Sequence, residues 1–297
     1  VWSGGAGYRY HLSSNSWSPM SSLGAPPSLL DGYGGVWTGQ ELFIWGGRTS
    51  TSTSFDNKGW RYDPELNSWR SVSTLNAPFP GLTGFSTIWT GNRVTLWGGN
   101  GADGTKGHRY DPATDSWSRT SSNDAPSNRV HHTAVWTGNE MLIWGGESLS
   151  AIVGPGARYD PVADVWHPMS SMHEPLARKY HYAFWTGQEM LVWGGTPAGG
   201  GPSLSTGARY DPLADRWTSL ATLNAPQTSF PVVDLAGQFM VVWGGYDENF
   251  AYQRSGGRYD LMTDSWSPVS LMNAPGASDL RNFVSVGNEI IVWDGSY

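Results

Sequence analysis

The 297-residue chain contains no cysteine, which excludes disulfides, thiolate nucleophiles and cysteine-ligated metals together. Lysine is almost as scarce, only Lys58, Lys106 and Lys179 being present, and basic residues nowhere form a block. With a net charge of −7, the chain is a poor partner for nucleic acid or anionic membranes. No apolar run approaches the roughly 18 residues needed to span a bilayer. A sustained 3.6-residue apolar period is missing too, so no substantial helix is expected. A phosphate loop is also absent, because the glycine-rich stretch 99–106 lacks Gly-Lys-Ser/Thr and a following helix. The chain begins at Val without Met, which reads as removal of a leader or preceding region.

What is abundant is glycine, tryptophan and repetition. Six times an Arg-Tyr pair is followed, seven residues after the tyrosine, by a tryptophan: Tyr10/Trp17, Tyr62/Trp69, Tyr110/Trp117, Tyr159/Trp166, Tyr210/Trp217 and Tyr259/Trp266. Successive tyrosines lie 52, 48, 49, 51 and 49 residues apart, a period typical of propellers and solenoids. Each unit holds four short extended pieces. The first runs into Thr-Gly (132–138), and the second is apolar and closed by a double glycine (141–146). The third carries Arg-Tyr and stops at Asp-Pro (158–161); the fourth begins at the tryptophan and ends before an Ala-Pro such as 225–226. Short β-branched and aromatic pieces separated by Gly, Pro, Asn and Asp read as an antiparallel meander. Asp-Pro suits the opening of a type I turn, and Thr-Gly a hairpin.

Of the 18 tryptophans, six open fourth strands. Seven precede glycine-rich turns (Trp2, Trp45, Trp97, Trp144, Trp193, Trp243, Trp293) and four precede Thr-Gly (Trp37, Trp89, Trp136, Trp185), leaving Trp60 outside the pattern. The repeated tryptophans are expected to be packing wedges between sheets rather than a ligand platform.

Double glycine, tyrosine and tryptophan at fixed distances resemble the Kelch family of β-propellers. Arg129-Val130-His131-His132 and Arg178-Lys179-Tyr180-His181 resemble the Arg-x-x-His that often opens a Kelch blade. The resemblance spans the chain and implies an all-β, six-bladed Kelch-type propeller forming one domain, 1–297. Complete four-stranded antiparallel blades are expected at 33–73, 85–121, 131–170, 180–220 and 230–270. The closing blade is expected from both ends, strands three and four from 7–20 and strands one and two from 282–293, which removes a free sheet edge. Residues 1–5 and 292–295 are two copies of one strand ending, so one copy is expected to be spare. Scarce lysine with abundant Ser, Thr, Asn and Gly resembles exported bacterial Kelch proteins and implies an extracellular or periplasmic location.

Repetition also supplies a rule for finding function. A residue present in every unit is scaffold, whereas a polar residue that breaks the repeat is a site candidate. Arg9, Arg61, Arg109, Arg158, Arg209 and Arg258 occur in every unit, with Glu41, Glu140, Glu189 and Glu289 on the neighbouring strand in four, so cross-strand ion pairs are expected. Arg93 and Phe239 replace the glutamate in the other two.

The loops between strands two and three share one end of the sheets with the connections between units. The opposite end holds only tight turns, so ligands are expected at the long-loop end. There Arg129, His132, Arg178, Tyr180, His181 and Arg281 are expected to form a cationic mouth suited to a carboxylate, with Tyr33, Arg48, Tyr246 and Arg254 nearby. The plainer alternative is that Arg-x-x-His ties the blade entrance together. Asp234 stands where other units carry the apolar Val36, Ile88, Val135, Phe184 and Val284, and so puts a carboxylate on an inner strand; resemblance to an acidic-sugar mutarotase implies that Asp234 or His181 moves protons.

No metal is expected, because the neighbours His131 and His132 point to opposite strand faces; no cofactor is implied. The expected function is binding of a small acidic or sugar ligand, or of a protein or peptide partner, at the long-loop end. Two alternatives follow from other observations. Resemblance to the six-bladed N-acetylneuraminate mutarotase implies an acidic-sugar mutarotase or epimerase; the non-repeated aromatics Trp60, Tyr246, Phe250 and Tyr252 imply a lectin.

Overall fold

The computed structural model describes residues 2–3, 6–11, 13–27, 31–48, 57–78, 83–100, 107–148, 151–276 and 282–293. Every regular element among them is a strand. No helix of these residues is long and apolar enough to cross a membrane. The chain divides into two compact units, 1–149 with 156–168, and 150–155 with 169–297.

The first unit opens with a three-stranded sheet, Trp2–Ser3, Ala6–His11 and Ser16–Pro19, in which Trp2 pairs with Gly7. Three four-stranded antiparallel sheets follow in simple chain order. They are Asp31–Trp37, Leu42–Arg48, Gly59–Asp63 and Ser68–Ser71; Thr83–Trp89, Val94–Asn100, His108–Asp111 and Ser116–Arg119; and Thr133–Trp136, Met141–Trp144, Ala157–Asp160 and Val165–Pro168. The second unit has two such sheets: Tyr182–Trp185, Met190–Trp193, Gly207–Asp211 and Arg216–Ser219; and Val232–Ala236, Phe239–Trp243, Gly256–Asp260 and Ser265–Pro268. It also holds two two-stranded sheets, Arg178–Lys179 with Thr196–Pro197 and Asn282–Val286 with Glu289–Trp293.

The register repeats with the sequence. The tryptophan before each double glycine lies opposite Gly34, Ser86, Thr133, Tyr182 and Val232 in successive sheets. Asp234, two residues beyond Val232 and opposite Val241, therefore occupies the same rung as Val36, Ile88, Val135 and Phe184.

Each repeat is fastened to the one before it by a device built on a residue five beyond the tyrosine. Tyr110 donates its hydroxyl to Asp115 at 2.6 Å, and the same Asp115 oxygen accepts the N–H of Ser73 in the preceding repeat at 3.0 Å. Trp117 completes the latch by donating its indole N–H to the Ser73 carbonyl at 2.7 Å. The pattern recurs with Tyr62, Asn67 and Trp69 on Ser21; with Tyr159, Asp164 and Trp166 on Ser121; with Tyr210, Asp215 and Trp217 on Ser170; and with Tyr259, Asp264 and Trp266 on Ala221. The latch residues all have positive φ (47° at Asn67, 56° at Asp164), a conformation that Asn and Asp tolerate better than other side chains. Burial and the bond to Asp164 raise the Tyr159 hydroxyl well above its ordinary pKa, so it remains a donor.

The repeated arginines make a second fastening. Arg61 Nη1 reaches the Pro112 carbonyl of the next Asp-Pro turn at 2.6 Å and Glu41 of its own sheet at 3.5 Å. Arg158 and Arg209 meet Glu140 and Glu189 at 3.4 and 3.7 Å. Where the glutamate is replaced the arginine finds another partner: Arg109 pairs with Asp164 at 3.1 Å, and Arg258 lies 4.4 Å over the Phe239 ring.

Two of the three tryptophan sets are largely wedges, as expected: Trp69, Trp117, Trp166, Trp217 and Trp266 are buried, whereas Trp17, the first of the fourth-strand set, is 60% exposed. Trp45, Trp97, Trp144, Trp193 and Trp243 are buried, and Trp45 meets Trp117 of the next repeat edge-on at 4.5 Å. The third set departs from that expectation. None of Trp37, Trp89, Trp136 and Trp185 is fully buried, and Trp37 is 51% exposed, because it ends its strand where the chain turns out into Thr-Gly.

Candidate functional site

At the long-loop end, the Arg-x-x-His elements serve the backbone. Arg129 is 3% exposed and donates to the Ser127 carbonyl at 2.9 Å, the Ser127 hydroxyl at 3.0 Å and the Gly145 carbonyl at 3.2 Å. Arg178 is 1% exposed and donates to the carbonyls of Leu176, Gly194 and Thr206 at 2.9, 2.9 and 2.7 Å. Burial lowers the Arg178 guanidinium to about 10, which leaves it charged at neutral pH. In the next repeat Thr228 stands at the same position, and its hydroxyl donates to Gly244 at 2.6 Å. The common target is the carbonyl of the first glycine in these three double-glycine turns, whereas Gly46 and Gly98 stay within their strand ladders. Such a turn leaves the strand ladder and needs an outside donor for this buried oxygen.

The second glycine is fixed as well. At Gly146 φ is 96°, and a Cβ would stand 2.6 Å from the Val130 carbonyl and 2.8 Å from the His132 Cβ. Arg129 and Arg178 therefore hold strand ends and do not form the open cationic mouth expected from the sequence, and Arg281 lies outside the described residues. His132 and His181 are buried behind the glycine turns. His132 Nε2 lies 3.1 Å from Ser86 Oγ, and its ring meets Trp97 edge-on at 5.2 Å. Burial first, and then the Arg129 charge, push the imidazole down to about 3.

The residues just before the histidine position do face outward. His131, Tyr180 and Phe230 hold this place in successive repeats, each in the left-handed region, with φ of 55°, 56° and 50°. His131 is tied by Nδ1 to Glu147 at 2.8 Å. In the second unit Tyr180 and Phe230 are 42% and 64% exposed, with ring centroids 6.2 Å apart, and Lys179 Nζ lies 5.3 Å from the Tyr180 ring.

The neighbouring loop adds a third aromatic. Ser229 bridges Tyr246, which bridges Tyr252, so the loop closes as a tight hairpin at the same end of the sheet. Asp247 accepts the N–H of Asn249 at 2.8 Å and of Ala251 at 2.9 Å, fixing a turn that places Phe250 at φ 60° and 85% exposed. Tyr246 and Tyr252, on either side of this turn, have their rings 4.7 Å apart. Asx-type bonding is what lets so short a loop hold its shape.

The remaining expected site residues are dispersed. Asp234 is half-buried and accepts the Leu235 N–H at 2.8 Å. Tyr33 is half-exposed and Arg48 ends its strand in the first unit. Arg254 is exposed and donates to the carbonyls of Ala274 and Pro275 at 2.8 and 3.1 Å. Trp60 is buried and offers no lectin platform. Phe230 escaped the sequence reading because its position was aligned with ordinary entry residues. The signal that could have revealed it was the run of large rings at 131, 180 and 230.

Two clefts accompany these features. One of about 310 Å³ lies in the second unit between Asn224–Gln227 and Gln253–Gly256. The other, about 680 Å³, lies in the first unit at the tight-turn end, where the sequence placed no ligand-sized space. No curated protein matches the chain. The sequence model of the KLHDC2/KLHL20/DRC7 Kelch-repeats domain matches residues 32–231 and 84–295. The chain thus belongs to the Kelch-repeat family of all-β propellers, modules that bind proteins or ligands.

Proposed function

We propose that the protein recognises a protein or peptide partner through Tyr180, Phe230 and Phe250 at the long-loop end of its second unit. The observation that supports this reading is the coincidence of backbone strain and exposure: all three rings have positive φ and all face solvent. A bulky residue in the left-handed region costs about 1–2 kcal/mol, and an exposed ring returns nothing to the isolated fold. Aromatic side chains on preformed turns are suited to be binding anchors, because little entropy is lost when they are covered. The Asp247 turn and the stacked Tyr246 and Tyr252 pre-organise Phe250 in this way. Lys179 beside Tyr180, together with exposed Arg254, favours a partner segment in which apolar side chains are flanked by carboxylates.

The test is selection of peptides from a displayed random library on the immobilised chain, followed by titration against Phe230→Ser and Phe250→Ser. Selected peptides should bind each variant at least about tenfold more weakly, as at interface anchors. Peptides that bind both variants as well as the parent chain refute the proposal.

A further inference from the structure

We infer that the 680 Å³ cleft at the tight-turn end of the first unit is a binding site for a neutral oligosaccharide of equatorially substituted pyranoses. It is distinct from the long-loop end in location and in chemistry. Its size lies within the ordinary range for small-molecule sites.

Its lining has two apolar walls, Trp37 and Trp89, at the ends of the first strands of adjacent sheets. Between them stand Glu41, Asp63, Glu65, Arg61 and Arg70. Two of these break the repeat. Arg70 pairs in register with Arg61, where the other sheets carry Ser18, Ser118, His167, Thr218 and Ser267. Glu65 follows its turn proline where other units have Ala113, Val162 and Leu213. A fold that works with serine or alanine at these places does not require a charge there.

Two guanidiniums, Arg61 and Arg70, face three carboxylates, Glu41, Asp63 and Glu65, and all but the exposed Glu65 are engaged within the cleft, which bears on the class of ligand. Glu41 is paired with both Arg61 and Arg70. Asp63 caps its own turn by accepting the N–H of Glu65 and Leu66 at 2.8 and 3.0 Å. An anion meets a lining with one more carboxylate than guanidinium, and a cation finds the buried carboxylate taken. What the cleft offers is flat indole surface beside planar polar groups held in place by their ion pairs. A pyranose with equatorial hydroxyls matches both, its axial C–H face lying on the indole and its rim of hydroxyls meeting guanidinium and carboxylate edges.

Isothermal titration of the intact chain with cellotetraose and with chitotetraose tests this. Saturable binding of at least one is expected, weakened at least about tenfold by Trp37→Ala and by Arg70→Ser, as for residues central to a contact. Arg70→Ser installs the residue that other repeats use and leaves Arg61 on Glu41, so its melting temperature should match the parent. Phe250→Ser should bind the sugar unchanged. Absence of saturable binding at millimolar sugar overturns the inference, and so does binding that neither Trp37→Ala nor Arg70→Ser weakens.

Discussion

Mild acid should destabilise this protein well above the pH at which its carboxylates titrate, and His132 is the reason. Its imidazole is buried against Trp97 and Ser86, close to the Arg129 charge, and is pushed down to about 3. In the unfolded chain the same ring titrates near 6.5. Between these values the unfolded state takes up a proton that the folded state refuses. The stabilising contribution of neutral His132 is thus complete above about pH 6.5 and is lost as the pH falls towards 3. At about 1.4 kcal/mol per unit once the unfolded ring is fully protonated, acidification from about pH 6.5 to 4.5 should cost about 2–2.5 kcal/mol. The assay is urea denaturation of the parent chain and of His132→Phe across that range. Phe85 fills the matching place in the preceding repeat, so phenylalanine is a compatible substitute. Asp164 and Asp264 are held low, despite burial, by tyrosine and backbone hydrogen bonds, and they are common to both proteins, so subtraction isolates His132. A difference curve that stays flat over the two units would refute the reasoning.

Arg178→Ala should destabilise by about 3–5 kcal/mol in denaturant melts, because it strands the buried carbonyl of Gly194 and removes the bonds to Leu176 and Thr206. Arg178→Thr should recover part of that loss, since Thr228 serves Gly244 in the next repeat. Tyr159→Phe removes only the bond to Asp164 and should cost about 1–3 kcal/mol, while Tyr159→Ala also opens a cavity and should cost about 3–5 kcal/mol. Phe250→Ser should leave the melting curve within about 0.5 kcal/mol of the parent, as an exposed position with no packing role does.

The sheets were legible because the repeat lies in residues that the fold uses directly: glycines at turns, wedging tryptophans and strand-pairing arginines. The latch was just as legible and was missed, since Asn15, Asn67, Asp115, Asp164, Asp215 and Asp264 all stand five residues after a repeat tyrosine. They were overlooked because a polar turn residue looks generic until its hydrogen bonds are known. The Arg-x-x-His elements failed for a different reason. Sequence distinguishes a charge from a neutral group, but not a guanidinium facing solvent from one spent on backbone oxygens. That depends on whether a nearby turn leaves a carbonyl without a partner. The tight-turn cleft was hidden because it arises from repeat-breaking residues, Glu65 and Arg70, between two tryptophans whose repetition marked them as core.

The latches also give the chain a direction in time. Each one ties the exit of a repeat to an Asn or Asp and a tryptophan 42 to 48 residues downstream, and the arginine bonds from Arg9 to Pro64, Arg61 to Pro112 and Arg109 to Pro161 point the same way. During synthesis, a repeat leaving the ribosome has its own hairpins but not the groups that close its last strand. Those arrive only with its successor. Assembly should therefore trail translation by one repeat, with a single uncapped strand exit moving along the nascent chain. A pause within any one repeat would hold that exit open to chaperones, and to pairing with another chain, for as long as the pause lasts.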